Sequence, residues 1–139
     1  MQKIIIDTNV LVSALIQRGY PYFIVYNYVL ENLVEICISE ELFSEYLTVL
    51  NRPKFSKYPD FISKAEIILA QIESKATKFS PKIKIDIIKD YDDNRLLELA
   101  SEAKADFIIT GNSNDFTMIE YKGTRIVNPK DYWDNFREE

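Results

Sequence analysis

The chain alternates short apolar runs with longer segments whose apolar positions recur at helical spacing. Ile4, Ile5 and Ile6 form an unbroken β-branched run close behind Met1. Such a run reads as a strand covered on both faces, because a parallel strand packed between helices loses polar alternation. Residues 10–16 are mostly apolar, up to a break at Gly19-Tyr20-Pro21. A helix is predicted over 22–32, with Tyr22, Tyr26, Val29 and Leu33 at helical spacing, and a second strand over 33–38. Ser39 is a good N-cap, Glu40 and Glu41 follow where the helix dipole favours them, and that helix runs to about Leu50. Asn51-Arg52-Pro53 ends it, and 52–59 is a loop. Over 61–76, Phe61, Ala65, Ile68, Leu69, Ile72 and Ala76 lie on one stripe of a strong amphipathic helix. Segment 77–92 stays open: Ile83, Ile85 and Ile87 alternate as in an extended stretch. A helix over 93–104 turns Leu96, Leu97, Ala100 and Ala103 inward. Then follow a strand over 107–110, a loop over 111–116 and a last strand over 124–127. Pro129 starts a C-terminal helix at its first turn, where a missing N–H costs nothing. Strands alternating with helices predict an α/β fold, a parallel sheet flanked by helices. No repeat, low-complexity tract or linker divides the 139 residues, so one domain over 1–139 is expected.

Composition narrows the chemistry. The chain holds no histidine, which removes Ser-His-Asp and Cys-His catalysis and every His-containing zinc site. Acid–base work must fall to carboxylates, Lys, Tyr or metal-bound water. Cys37 is the sole cysteine, so no intrachain disulfide forms, and a reducing, cytoplasmic setting is expected. It lies within the apolar run 33–38 and reads as a small core residue, not a nucleophile. No apolar run approaches the ~20 residues that span a bilayer, and no leader-like segment precedes the first strand, so neither a membrane span nor a signal peptide is expected. A net charge of −5 argues weakly against nucleic-acid binding, unless acidic side chains recruit a divalent cation and reverse the local sign. Nine tyrosines suggest a binding surface or subunit interface.

Four acidic residues carry the candidate chemistry. Asp7 ends the first strand, and ligands of an open α/β sheet sit at the carboxyl ends of its strands. An isolated Asp there would be read as a turn cap. Glu45 falls on the same helical face as Leu42, Tyr46 and Val49; it is either a boundary residue reaching water or a buried carboxylate in need of a cation. Asp93 follows Asp90, Tyr91 and Asp92 at a helix start, where either Asp92 or Asp93 can be the cap. Right-handed crossovers bring helix N-termini to the strand carboxyl edge, which carries Glu45 and Asp93 toward Asp7. Asp115 lies in the Gly-Asn-Ser-Asn-Asp loop after Thr110, a sequence that also suits a plain turn. Four acids at one edge raise one another's pKa values and call for a hard cation. Oxygen donors without His or a second Cys suit Mg²⁺ or Mn²⁺.

These residues resemble a known family. Ile-Asp-Thr-Asn-Val-Leu-Val-Ser-Ala is similar to the opening motif of PIN-domain nucleases. Ser-Glu-Glu-Leu-Phe-Ser-Glu-Tyr, Asp-Asp-Asn-Arg-Leu-Leu-Glu-Leu-Ala and Ala-Asp-Phe-Ile-Ile-Thr-Gly-Asn-Ser-Asn-Asp-Phe resemble its other three, in family order. The likeness is to single-domain prokaryotic members similar to virulence-associated protein C toxins of toxin–antitoxin pairs. It implies a three-layer α/β/α sandwich with a central, mostly parallel sheet. It implies an Mg²⁺- or Mn²⁺-dependent endoribonuclease that hydrolyses RNA phosphodiester bonds with metal-activated water. It carries the catalytic, metal-holding positions onto Asp7, Glu45, Asp93 and Asp115, with Asp92 open as a sharer of the Asp93 role. Thr8, Asn9, Thr110 and Asn112 would shape the site. Many relatives have Asp where this chain has Asn112, which would weaken metal binding. A small antitoxin protein and a second copy of the chain, a homodimer through 22–32 and 61–76, are the implied protein partners.

Competing classes fit less well. A haloacid-dehalogenase-type phosphatase needs a second Asp where Asn9 stands. A receiver domain needs an acidic pair at its first turn and a phosphorylated Asp after a mid-chain strand, and neither is present. A catalytically weak or inactive PIN-fold module that binds protein or RNA is the alternative, favoured by Asn112 and disfavoured by the four acids. For RNA contact the densest basic stretch is Arg52, Lys54 and Lys57, interleaved with Phe55 and Tyr58 on which unpaired bases could stack. A solvated turn explains that stretch equally well.

Overall fold

A computed structural model describes residues 1–113, 116 and 118–139. Strand β1, Lys3–Ile6, lies at the centre of a six-stranded sheet, and its three isoleucines are fully buried, as a strand covered on both faces requires. It pairs in parallel with β2, Glu35–Ile38, on one side and β4, Phe107–Ile109, on the other. Ile5 stands opposite Ile108, and Ile6 opposite Ile109. Beyond β2 lies the two-residue β3, Thr77–Lys78; beyond β4 lie β6, Thr124–Val127, and the antiparallel β5, Glu120–Tyr121. The order β3-β2-β1-β4-β6-β5, parallel except at β5, makes a three-layer α/β/α architecture.

Helix α1, Thr8–Ile16, follows β1 without a loop. A short α2, Tyr20–Tyr22, continues as a π-helical turn, Phe23–Val29, so the helix expected over 22–32 stops early. Asn32, in the left-handed region at φ 60°, reverses the chain there, and Leu33 stays exposed outside β2. Helix α3, Glu40–Leu50, is capped as expected: Leu42 N donates to Ser39 Oγ at 3.0 Å. The loop after it is wound into a short 3₁₀ turn, Pro53–Lys57. Helix α4, Phe61–Lys75, buries Phe61, Ala65, Ile68, Leu69 and Ile72 and leaves Ile62 and Ile67 exposed. Cys37 is fully buried, and burial pushes its thiol up to about 12, as a core residue.

Segment 79–90 is irregular, and of the three alternating isoleucines only Ile85 is buried. Side chains of the next helix, α5, Tyr91–Ala103, hold this segment down. Asn94 Oδ1 accepts from Ile87 N and Ile88 N at 3.1 and 3.0 Å, and its Nδ2 donates to Ile88 O at 2.6 Å. Glu98 Oε2 accepts from Ile85 N at 2.7 Å. Helix α5 starts two residues earlier than the pattern predicts, and neither Asp92 nor Asp93 caps it. Asp90 does: its Oδ1 accepts from Asp92 N and Asp93 N at 2.8 and 3.1 Å. Pro129 opens α6, Pro129–Asp131, which continues as a π-helical turn, Tyr132–Phe136.

Candidate active site

The carboxyl ends of β1 and β2, the first turns of α1, α3 and α5, and the chain leaving β4 meet on one edge of the sheet. Asp7 stands in the N-cap position of α1, yet its side chain makes no capping bond. Instead Asp7 Oδ2 accepts from Thr110 Oγ1 at 2.7 Å, and that hydroxyl oxygen in turn accepts from Asn112 N at 3.1 Å. Asp7 N donates to Ile109 O at 3.0 Å, which extends the β1–β4 ladder to the acid itself.

Glu45 sits in the second turn of α3, half-buried, and its Oε2 accepts from Thr8 Oγ1. The next residue, Tyr46, is fully buried and donates its hydroxyl to Ile6 O, pinning α3 to the end of β1. Thr8 and Thr110 are both buried, so each acid receives a hydroxyl from a side chain that packing fixes. Such donors favour the charged carboxylate, but burial outweighs them. Burial raises the pKa of Asp7; the Thr110 hydroxyl and the Thr8 backbone oppose it, and the charges of Asp92 and Asp90 add to it. Burial likewise raises Glu45, against the Thr8 hydroxyl, with Asp92 and Asp7 adding and Arg52 opposing.

A cleft of about 240 Å³ is lined by Asp7, Thr8, Asn9, Glu45, Arg52, Asp92, Asp93 and Asn112, among others. It brings together three of the four expected acids and all the expected shaping residues except Thr110, which lies beneath Asp7. Asp115 lies outside the described residues. Asp92 is exposed and faces the cleft, Asp93 is buried beside it, so both acids of the pair belong here. Asp90, capping α5, also lines it. Sequence spacing gave no sign of the capping role, since three acids in four residues are equivalent on paper.

Among the described residues, no group of three acidic side chains is arranged to hold a metal ion as it stands. Asp7 Oδ2 and Glu45 Oε2 are instead each engaged by a threonine hydroxyl, from Thr110 and Thr8. The donors that line the cleft still fit a hard cation, being carboxylate, amide and hydroxyl oxygens only. A divalent ion would also offset the upward pressure on both half-buried carboxylates.

Of the basic stretch, Arg52 alone lines this cleft; Lys54 and Lys57 do not. Phe55 and Tyr58 pack partly buried against the core, and Phe55 stacks on Phe61 with ring centroids 5.0 Å apart. The aromatics expected to stack on bases are therefore occupied within the chain.

The mostly parallel α/β/α sheet carries an acidic cleft at its carboxyl edge, the edge at which such folds place their ligands. The chain belongs to the PIN domain family, whose model matches residues 3–114. PIN domains are generally nucleases, and a nucleic-acid substrate follows for the class. The chain is also 28% identical over 145 residues to an uncharacterized protein of Methanocaldococcus jannaschii, covering 98% of this chain and 92% of that one. No solved structure matches it. Among the described residues, no helix is long and apolar enough to cross a membrane.

Proposed function

We propose that the protein is a metal-dependent endoribonuclease, with Asp7, Glu45, Asp93 and Asp115 as its acidic set and Asp92 as a contributor. The observation that supports it is the convergence of Asp7 and Glu45, from separate elements, on one cleft where buried threonines orient both. These acids would hold Mg²⁺ or Mn²⁺, which would neutralise charge at a phosphate and lower the pKa of a bound water. The chain's own residues do the rest. Thr8 and Thr110 fix the directions in which Glu45 and Asp7 present their oxygens. Asn9 and Asn112 offer amide groups at the cleft wall. Arg52 attracts the phosphate backbone to an otherwise acidic opening. No side chain is assigned as general base.

The cellular role we infer is that of a cytoplasmic toxin paired with a small antitoxin, acting as a homodimer. Tyr22 and Tyr26, stacked at 4.4 Å, and the exposed Ile62 and Ile67 offer apolar surface for a second copy. A binding module without catalysis is the second reading, and exposed Asn112 in place of an acid favours it. Incubating the protein with structured and unstructured RNA, in Mn²⁺, Mg²⁺ or EDTA, decides between them. Cleavage that needs the metal and vanishes in Asp7→Asn is expected; metal-independent cleavage refutes the metal site, and no cleavage under any condition refutes the enzyme.

A further inference from the structure

Beside the acidic cleft a second cavity, of about 160 Å³, opens between α3 and α5. The two share Asp7, Glu45 and Asp92. The second has a different character. Leu42, Leu96 and Leu99, all buried, give it an apolar floor, while Glu41, Asp92 and Arg95 stand at its rim.

Charge decides what can enter. Among the described residues that line it, Arg95 is the only cation, and its Nη2 is already engaged, 2.5 Å from Glu98 Oε2 and donating to Ile85 O at 2.7 Å. Glu41 and Asp92 are exposed carboxylates at the mouth, and Asp7 and Glu45 lie at the inner end. A phosphate entering here would meet four carboxylates and a neutralised arginine. A flat, uncharged ring with N–H donors on its edge would meet leucines below and carboxylate acceptors at its rim.

Arg95 adds a plane. Its Cζ lies 4.2 Å from the Tyr91 ring centroid, so Tyr91 covers one face of the guanidinium. Its Nε is buried without a hydrogen-bond partner, so Nη2 and the ring contact hold the group in place. Glu98 is itself fixed by Ile85 N, which makes the plane rigid. Arg95 also lines the cavity, and Tyr91 leaves one face of its guanidinium uncovered. Unpaired bases stack on arginine planes as they do on aromatic rings.

We propose that this cavity is a nucleobase subsite. It takes the base next to the scissile phosphate, stacks it on Arg95 above the leucine floor, and accepts N–H donors of its edge at Glu41 or Asp92. The proposal rests on the endoribonuclease reading of the adjoining cleft. The shared residues put the base of a nucleotide in one cavity and its phosphate in the other. A base must be splayed from any helix to enter, so single-stranded RNA is the substrate. Guanine, with adjacent imino and amino donors, suits a carboxylate rim best, and uracil, with a carbonyl on each side of its N–H, suits it least.

The test uses the full chain in EDTA and labelled single-stranded RNA hexamers, each with one abasic nucleotide at a different position, read by fluorescence anisotropy. In the wild type one abasic position weakens binding about tenfold, the loss expected for one stacked base. At that position guanine binds more tightly than uracil. Arg95→Lys keeps the charge beside Glu98 but removes the plane, and abolishes the abasic penalty. Glu41→Gln replaces one of two rim acceptor oxygens by an N–H donor, which cannot take both guanine donors, and reduces the guanine preference. A merely structural Arg95 would lower the melting temperature and weaken every hexamer alike, which overturns the assignment of the stacking plane. A flat abasic scan in the wild type overturns the subsite. The same hexamers in Mn²⁺ test the cleft separately. Cleavage with a flat scan overturns the subsite alone; a position-specific loss without cleavage overturns the nuclease and leaves a base-binding cavity.

Discussion

Replacing Asp7 by Asn separates the structural cost of the acidic cleft from its chemistry. The side chains match in shape, and asparagine keeps an oxygen that can accept the Thr110 hydroxyl, which now lies 2.7 Å from Asp7 Oδ2. What disappears is a charge that burial disfavours. The pKa of Asp7 is raised from the ordinary 3.8, first by burial and then by Asp92 and Asp90, against the Thr110 and Thr8 hydrogen bonds. The unfolded chain releases this proton near its ordinary value, whereas the folded chain holds it to higher pH. In metal-free protein the contribution of Asp7 to stability is therefore whole below pH 3.8 and is lost as pH rises through the folded pKa. Each unit of upshift costs about 1.4 kcal/mol at neutral pH. For a chain of this size 1 kcal/mol corresponds to roughly 3–5 °C in Tm. Asp7→Asn in EDTA should thus melt higher than wild type at neutral pH, with the gap closing toward acid. Differential scanning calorimetry across that range reads it directly. In millimolar Mn²⁺ the order should reverse, because wild type gains about 2.7 kcal/mol at a hundredfold excess of metal over Kd and the variant gains far less. RNA cleavage should be lost in the variant. A variant that melts below wild type in EDTA at neutral pH, with an unchanged pH slope, would refute a strained carboxylate at this position.

Asn94→Ala should destabilise the protein by about 2–4 kcal/mol, since it strands the buried N–H and C=O of Ile88 and frees the N–H of Ile87, and hydrogen exchange at Ile87 and Ile88 should rise; wild-type exchange there would show that the clamp is dispensable. Arg52→Gln should weaken RNA binding and lower its salt slope more than Lys54→Gln and Lys57→Gln together, because Arg52 alone lines the cleft; equal slopes would move the RNA path away from it. Light scattering at tens of micromolar should report a dimer, and Ile67→Asp should dissociate it; a monomeric wild type would leave the exposed isoleucines of α4 to another partner.

Several features could be read directly from residue order. Ile4, Ile5 and Ile6 announce a strand buried on both faces because no polar residue interrupts them, and the apolar stripe of α4 and the Ser39 cap follow from local spacing. Those same local rules put Asp7, Glu45 and Asp93 at helix starts or strand ends, and crossover handedness brings those to one edge. Other features depend on contacts between distant segments. Asp90, Asp92 and Asp93 differ only in where 79–90 is tied down, which Asn94 and Glu98 decide from the far side of the turn. Ile83 and Ile87 alternate with Ile85 as a strand would, yet the edge strand β3 is only two residues long and they join no ladder, so they face water. Phe55 has the sequence of a base-stacking loop residue and is taken up by Phe61, thanks to a 3₁₀ turn no local pattern announces. The arrangement of Arg95 over Tyr91, against Glu98 and beside Asp92, needs α5 packed against α3 before it has any cavity to line. Periodicity specifies which face of an element is apolar; which polar group meets which is set only when those faces pack, whether the partners are near in the chain, as Asn94 and Ile88 are, or distant, as Asp7 and Thr110 are.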